Sequence, residues 1–289
     1  MKKIISTSIA LALIGGFAFS SYDAEAKSFE KNKSYNAENI NTLKVYSDSW
    51  DVRFKKSNSN EVTVSAEGKQ KGKEPVTFKT DGETLVIKQK DQKKSGFFGG
   101  FTFGKNGTIY INVPKSKINS IKLNNKNGDI ELNKISAKNV TVKNNSGDEK
   151  IKGLNVENGK FSSSDGMLSF ENSTFKSLKV VSASGDNYME NVSASNAKVS
   201  SKDGVVQIKG MKEGKSLAVK TTSGDIGVSY KKAPTSLTVD ATSKSSDVNL
   251  KLDGYKKSSG SENSQSGKVG QGENILELTS NDGVINVKN

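Results

Sequence analysis

Asn127-Gly128-Asp129-Ile130-Glu131-Leu132 is followed, nineteen residues further on, by Ser146-Gly147-Asp148, and the spacing then persists. Glycines stand at 128, 147, 166, 185, 204 and 224, at intervals of 19, 19, 19, 19 and 20. Each has an acidic neighbour. Asp129, Asp148, Asp186 and Asp225 follow Gly128, Gly147, Gly185 and Gly224, whereas Asp165 and Asp203 precede Gly166 and Gly204. Two weaker copies come later, at Ser246-Asp247 and Asp282-Gly283.

Alternating apolar pairs flank these turns: Ile121-x-Leu123, Val140-x-Val142, Leu178-x-Val180 and Leu217-x-Val219 before, Ile130-x-Leu132, Leu168-x-Phe170, Val206-x-Ile208 and Ile226-x-Val228 after. Period-two alternation in short runs marks strands with one buried face. One unit is therefore a strand, a Gly/Asp turn, a second strand and a short return. A unit so small cannot bury its apolar side alone, but stacked units bury a continuous column. The constant period predicts an all-β, parallel β-solenoid of seven or eight coils, each about 4.8 Å thick. Glycine at the turn supplies positive φ, and Asp or Asn beside it caps local amides. A row of such carboxylates could also hold Ca²⁺. The nonapeptide signature of calcium β-rolls is absent, however, and Asp165 and Asp203 sit out of line with Asp129 and Asp225. The reading is a structural turn, with no metal or cofactor.

Composition narrows the chemistry. The 289 residues include no Cys and no His. That excludes disulfides, thiolate nucleophiles, imidazole bases and Cys- or His-based metal sites. Hydrophobic residues make up 32%, which is lean for a compact globule but suits a thin β protein with many turns. Disorder is excluded by only three prolines and by the recurring alternation. Lys plus Arg number 44 against 31 acidic residues, a net charge of +13, and Arg53 is the one arginine. A charge of that size favours anionic polymers or lipids of the envelope. It does not indicate specific nucleic-acid recognition, which would call for a basic helix or an aromatic platform. Lys122, Lys143, Lys179, Lys198 and Lys220 fall on outward strand positions, where they also serve solubility and block edge-to-edge association.

Met1-Lys2-Lys3, an apolar stretch from Ile4 to Phe19, and Ala24-Glu25-Ala26 read as a secretory signal peptide over residues 1–26. No later segment has the length and apolarity to span a bilayer, and no hydrophobic tail or LPxTG-like signal closes the sequence. The expectation is a secreted protein whose attachment to the cell surface, if any, is non-covalent. Residues 27–39 read as a polar lead-in, 40–117 as an N-terminal strand region, and 118–289 as the solenoid.

The N-terminal region holds Leu43-x-Val45, Val52-x-Phe54, Val62-x-Val64, Leu85-Val86-Ile87 and Ile109-x-Ile111. Asp48 to Phe54 mimics the later turn-plus-strand unit. Asn58-Ser59-Asn60 and Thr80-Asp81-Gly82-Glu83 read as hairpin turns. Two insertions break the pattern. Phe97, Phe98, Phe101 and Phe103 lie among glycines, either folding back as a cap or forming a tip that touches lipid or a partner. Lys256 to Asn274 is rich in Ser, Gly, Gln and Lys and reads as a solvent loop.

Taken in order, an Asp-Val-x-Phe unit, a Val-x-Val strand, a Leu-Val-Ile hairpin and an Ile-x-Val-Pro strand precede a ladder of Ser-Gly-Asp-Ile-x-Val units. This order resembles the "putative adhesin" β-strand-repeat family of unknown function, common in Gram-positive bacteria, over roughly residues 40–289. The resemblance implies an exported protein that meets a cell-envelope or host-surface ligand. Related repeats occur in envelope-stress proteins, including surface sensors of cationic antimicrobial peptides. No catalytic residues are defined for the family, and none carry over. Polysaccharide lyases and hydrolases also use β-helices, but they gather carboxylates on long loops. Here the acidic residues are turn aspartates or scattered, so no enzyme is expected.

Overall fold

A computed structural model describes residues 28–69, 74–90, 107–114 and 118–289. Among them the chain is all β apart from one 3₁₀ turn, Ala37–Asn39, and forms two large sheets of twelve and thirteen strands.

Each repeat lays one strand in each sheet. In the second coil of the repeat, for example, Ser136–Ser146 belongs to the thirteen-stranded sheet and Glu149–Lys152 to the twelve-stranded one. Successive coils pair in parallel and nearly without slip: Val140 opposes Ile121 on one side and Gly159 on the other, and Glu149 opposes Ile130 and Leu168. The register follows from the period, because a one-residue slip would turn every apolar side chain outward. Ile121, Leu123, Val140, Val142, Phe161, Leu178 and Val180 fill the interior from one sheet. Ile130, Leu132, Ile151, Leu168, Phe170, Val206 and Ile208 fill it from the other. Gly159 leaves a gap in its column that the rings of Phe161 and Phe175 occupy, and Phe170 packs edge to face on both, its centroid 4.9 Å from that of Phe161.

The repeat extends further than the glycine spacing indicates. Antiparallel strands account for two of the twelve and three of the thirteen, which leaves ten parallel strands in each sheet. Two of the ten coils come from the N-terminal region. Thr42–Ser47 and Asp51–Ser57 form one, with Val52 opposite Ile130 and Phe54 opposite Leu132. Thr84–Gln89 and Gly107–Pro114 form the outer one. At about 4.8 Å per coil the parallel stack is about 45 Å long, rather than the length of seven or eight coils.

Three further expectations need correction. Asn58-Ser59-Asn60 does not join a hairpin: Glu61–Lys69 pairs with Gly107–Pro114 and Ser28–Asn36, so one strand lies between it and Asp51–Ser57. The polar stretch after Lys256 is not a solvent loop. Tyr255–Gly260 and Ser264–Val269 form an antiparallel ribbon on Leu237–Ser243, where an end position tolerates residues that an interior strand would not. Finally, the coils do not stack in sequence order throughout. The last coil, Asn274–Ser280 with Ile285–Lys288, inserts between Ser216–Lys220 with Ile226–Tyr230 and Leu237–Ser243 with Val248–Lys251. By contrast, Val76–Asp81 and Thr84–Gln89 do form the hairpin expected at Gly82.

Candidate functional site

The Gly/Asp turns stack at one corner between the two sheets. Gly128, Gly147, Gly166, Gly185, Gly204 and Gly224 all have positive φ, from 99° to 138°. A Cβ on any of the last five would strike the carbonyl oxygen of the glycine one coil before. The aspartates after glycine bind along the stack. Asp129 Oδ1 accepts the N–H of Asp148 at 3.1 Å, Asp148 Oδ1 that of Met167 at 2.9 Å, Asp186 Oδ1 that of Val205 at 2.9 Å, and Asp225 Oδ1 that of Val284 at 2.8 Å. Asp51 begins the series by accepting from Asp129 at 2.9 Å. Asp165 and Asp203 precede their glycines and stand exposed in the coils where Met167 and Val205 replace the accepting aspartate. The corner thus spends its carboxylates on coil-to-coil hydrogen bonds. Among the described residues, no group of three or more carboxylates is placed to hold a metal ion.

Behind this corner runs a buried polar column that the sequence reading passes over. Three residues before each glycine stands Asn, Ser or Thr, whose side chain donates to the turn backbone, except that Ser182 donates to Ser201 Oγ in the next coil. Asn125 Nδ2 reaches Gly128 O at 2.7 Å, Asn144 Nδ2 reaches Gly147 O at 2.9 Å, and Thr221 Oγ1 reaches Gly224 O at 3.0 Å. The signal was available as the recurrence of these types at the same nineteen-residue interval. A second corner was also missed. Lys134, Gly153, Asn172, Asn191 and Gly210, again nineteen apart, all take left-handed φ between 48° and 64°.

One buried group stands out. Glu149 is 1% exposed and occupies the inward slot that Ile130 and Leu168 fill in adjacent coils. Neither carboxylate oxygen has a hydrogen-bond partner, and burial pushes its pKa up to about 8. Asn187 takes the same slot two coils on, but there Nδ2 donates to Ser182 Oγ at 2.8 Å.

The outer faces differ in charge pattern. On the twelve-stranded sheet one row reads Arg53, Glu131, Lys150, Ser169, Tyr188, and the next reads Lys55, Asn133, Lys152, Glu171, Glu190. Signs mix there, and Lys152 pairs with Glu171 at 3.0 Å. On the thirteen-stranded sheet one row reads Lys44, Lys122, Thr141, Lys160, Lys179, Lys198, then Ala218, Glu277 and Asp240. Among the described residues none of these five lysines takes part in a salt bridge. A parallel row carries Ser120, Asn139, Asn158 and Ser177, with Asn158 Nδ2 donating to Asn139 Oδ1 at 3.1 Å. This row and Lys122, Thr141, Lys160 and Lys179 of the first line an open trough of about 510 Å³, with Lys198 next along the lysine row. Lys122, Lys179 and Lys198 are brought into one row, while Lys143 and Lys220 fall in the next. Phe97, Phe98, Phe101 and Phe103 lie outside the described residues.

The profile of a known family, Toastrack DUF4097, matches residues 40–288. The chain belongs to the Toastrack DUF4097 family. No curated protein matches it. Among solved structures, a "putative adhesin" from Bacteroides fragilis is 16% identical, with 91% of this chain and 98% of that one covered and a TM-score of 0.53. A "putative adhesin" from Parabacteroides distasonis is 13% identical, covering 90% and 97%, with a TM-score of 0.45. A "putative lipid binding protein" from the same species is 13% identical, covering 90% and 96%, with a TM-score of 0.40. At such identities likeness speaks for the fold, and the first structure carries it: this Toastrack chain shares the β-solenoid of a protein named for adhesion.

Proposed function

We propose that the protein is an exported, non-enzymatic β-solenoid that serves as an interaction surface at the bacterial cell envelope. The observation that carries this reading is the outer face of the thirteen-stranded sheet, with a row of lysines that take part in no salt bridge among the described residues. A lysine row of this kind attracts an anionic partner over several ångströms and does so more strongly at low salt. Export rests on the leader read in residues 1–26, and the shared fold with a structure named as an adhesin supports the surface role. The carboxylates support a structural role as well. Asp129, Asp148, Asp186 and Asp225 accept backbone amides, and Glu149 is sealed in the core away from any substrate.

The test is retention of the purified protein on isolated bacterial cell walls and on whole cells, at low and at high salt. Retention that falls as salt rises supports the reading. Absence of retention at low salt on both defeats it.

A further inference from the structure

Charge on a sheet face is normally dispersed, because like charges opposite one another on neighbouring strands destabilise the pair. The twelve-stranded sheet largely follows that rule: Glu131 lies between Arg53 and Lys150, and the like-charged pair Glu171 and Glu190 is flanked by Lys152 and Lys209. The thirteen-stranded sheet does not: Lys160, Lys179 and Lys198 are direct neighbours on three successive strands, and Lys122 lies one strand beyond Thr141. Strands lie about 4.8 Å apart, and no opposite charge stands between Lys160, Lys179 and Lys198 in the row. Edge protection does not account for the row, since all of these lysines lie on interior strands of the sheet. The row also has a direction, because beyond Ala218 it turns acidic at Glu277 and Asp240.

We infer that this trough binds a linear polyol-phosphate polymer, of the kind built into bacterial cell walls, laid along the solenoid axis with its phosphates on Lys122, Lys160, Lys179 and Lys198. The inference rests on the envelope reading above and names the partner of that surface. Lysine binds phosphate as a compact point charge on a flexible stem, without the fixed bidentate geometry of a guanidinium, which suits a flexible phosphodiester chain whose phosphates need only fall near the row. The row contains no arginine. The neighbouring Asn139, Asn158 and Ser177 offer amides and a hydroxyl to the hydroxyl-bearing spacer between phosphates. A nucleic acid, the other common phosphodiester, would call for aromatic side chains to stack its bases, and the lining of the trough has none. The row is a line rather than a broad patch. From Lys44 to Lys198 it spans about 24 Å, five strand spacings, which matches an extended chain better than a lipid surface.

The experiment measures binding of the protein to lipid-free poly(glycerol phosphate), with a DNA oligonucleotide and phosphatidylglycerol vesicles as parallel arms. Two charge-matched triple variants are compared. One carries Lys160→Ser, Lys179→Ser and Lys198→Ser; the other carries Lys150→Ser, Lys209→Ser and Lys288→Ser on the opposite sheet. All six side chains are exposed, and melting curves check that both variants fold. Expected is a loss of about tenfold or more for the first variant only, with the slope of log K against log salt falling by about 2. Equal loss in both variants overturns the site, because net charge alone would then explain binding. So does equal or tighter binding of the wild type to DNA or vesicles. If the wild type is retained on cell walls but ignores the polymer, the partner is wrong and the envelope reading stands. If it is retained on neither, both fall.

Discussion

Asp148 Oδ1 accepts the backbone N–H of Met167, one coil further along the stack, at 2.9 Å. The contact joins the two coils at a point where the parallel ladder is interrupted by the turn. It explains why aspartate recurs after glycine, and why the next coil can dispense with it: Met167 needs only its amide to be held. Asp165, two residues earlier, is exposed and makes no such bond.

The two aspartates should therefore respond differently to truncation. Asp148→Ala is expected to cost about 1–2 kcal/mol, the value of a charge-assisted bond to a backbone amide, while Asp165→Ala should stay within about 0.5 kcal/mol of wild type. Asp148→Asn keeps an acceptor oxygen and should lose little. Urea titration of the three variants decides this. A large loss in Asp148→Asn would mean that the charge itself matters, as it would at a cation site.

The stacked glycines make a sharper case. At Gly166 φ is 121°, and an added Cβ would collide with the carbonyl oxygen of Gly147, which is backbone and cannot rotate away. Gly82 also has positive φ, 53°, but open space surrounds it. Gly166→Ala should lose about 2–4 kcal/mol, with strain and overpacking both contributing, against about 1 kcal/mol for Gly82→Ala, where only the left-handed backbone is penalised. Equal losses at the two sites would refute the close-stacking account.

These two positions also show how far a sequence can be read. Gly166 advertised itself because its corner demands one residue type, and a residue type repeats visibly. The opposite corner demands only a conformation, which Lys134, Gly153, Asn172, Asn191 and Gly210 each adopt, so no single residue type runs through the series. The Asn125–Asn144 column was hidden because Asn and Ser read as loop residues, although here they are buried and bonded to the turn. Insertion of the last coil beside Leu217 and Val219 depends on contacts across some sixty residues, which a local pattern cannot encode. The lysine row lay between the two cases. Lys122, Lys179 and Lys198 were recognisable as outward residues, but only the register adds Lys160 and shows that Lys160, Lys179 and Lys198 are neighbours.

Lys134 carries a cost that its counterparts avoid. A non-glycine residue without a short polar side chain pays about 1–2 kcal/mol in the left-handed region, whereas Gly153 in the adjacent coil pays no steric penalty. Lys134→Gly is expected to stabilise the protein by about 1 kcal/mol, and Gly153→Ala to destabilise it by a similar amount. Thermal melting of both variants tests the pair. A destabilised Lys134→Gly would show that the lysine contributes something beyond filling the corner.

Glu149 sets a pH dependence whose sign follows from its burial. In the folded chain its carboxyl stays protonated up to about 8, whereas in the unfolded chain it ionises near ~4.3. Between those values the folded state holds a proton that the unfolded state has released, so stability falls as pH rises. The full contribution is present below the unfolded value and is lost by the time pH passes the folded one. The urea midpoint should therefore decline from pH 5 to pH 8. Glu149→Leu matches Ile130 and Leu168 in the adjoining coils, so it should flatten that decline and raise stability at pH 8 by a few kcal/mol. Glu149→Gln should also flatten it, but with a smaller gain, since a buried amide still lacks partners. A decline that persists unchanged in Glu149→Leu would assign the pH dependence to other groups and leave the buried carboxyl without a thermodynamic signature.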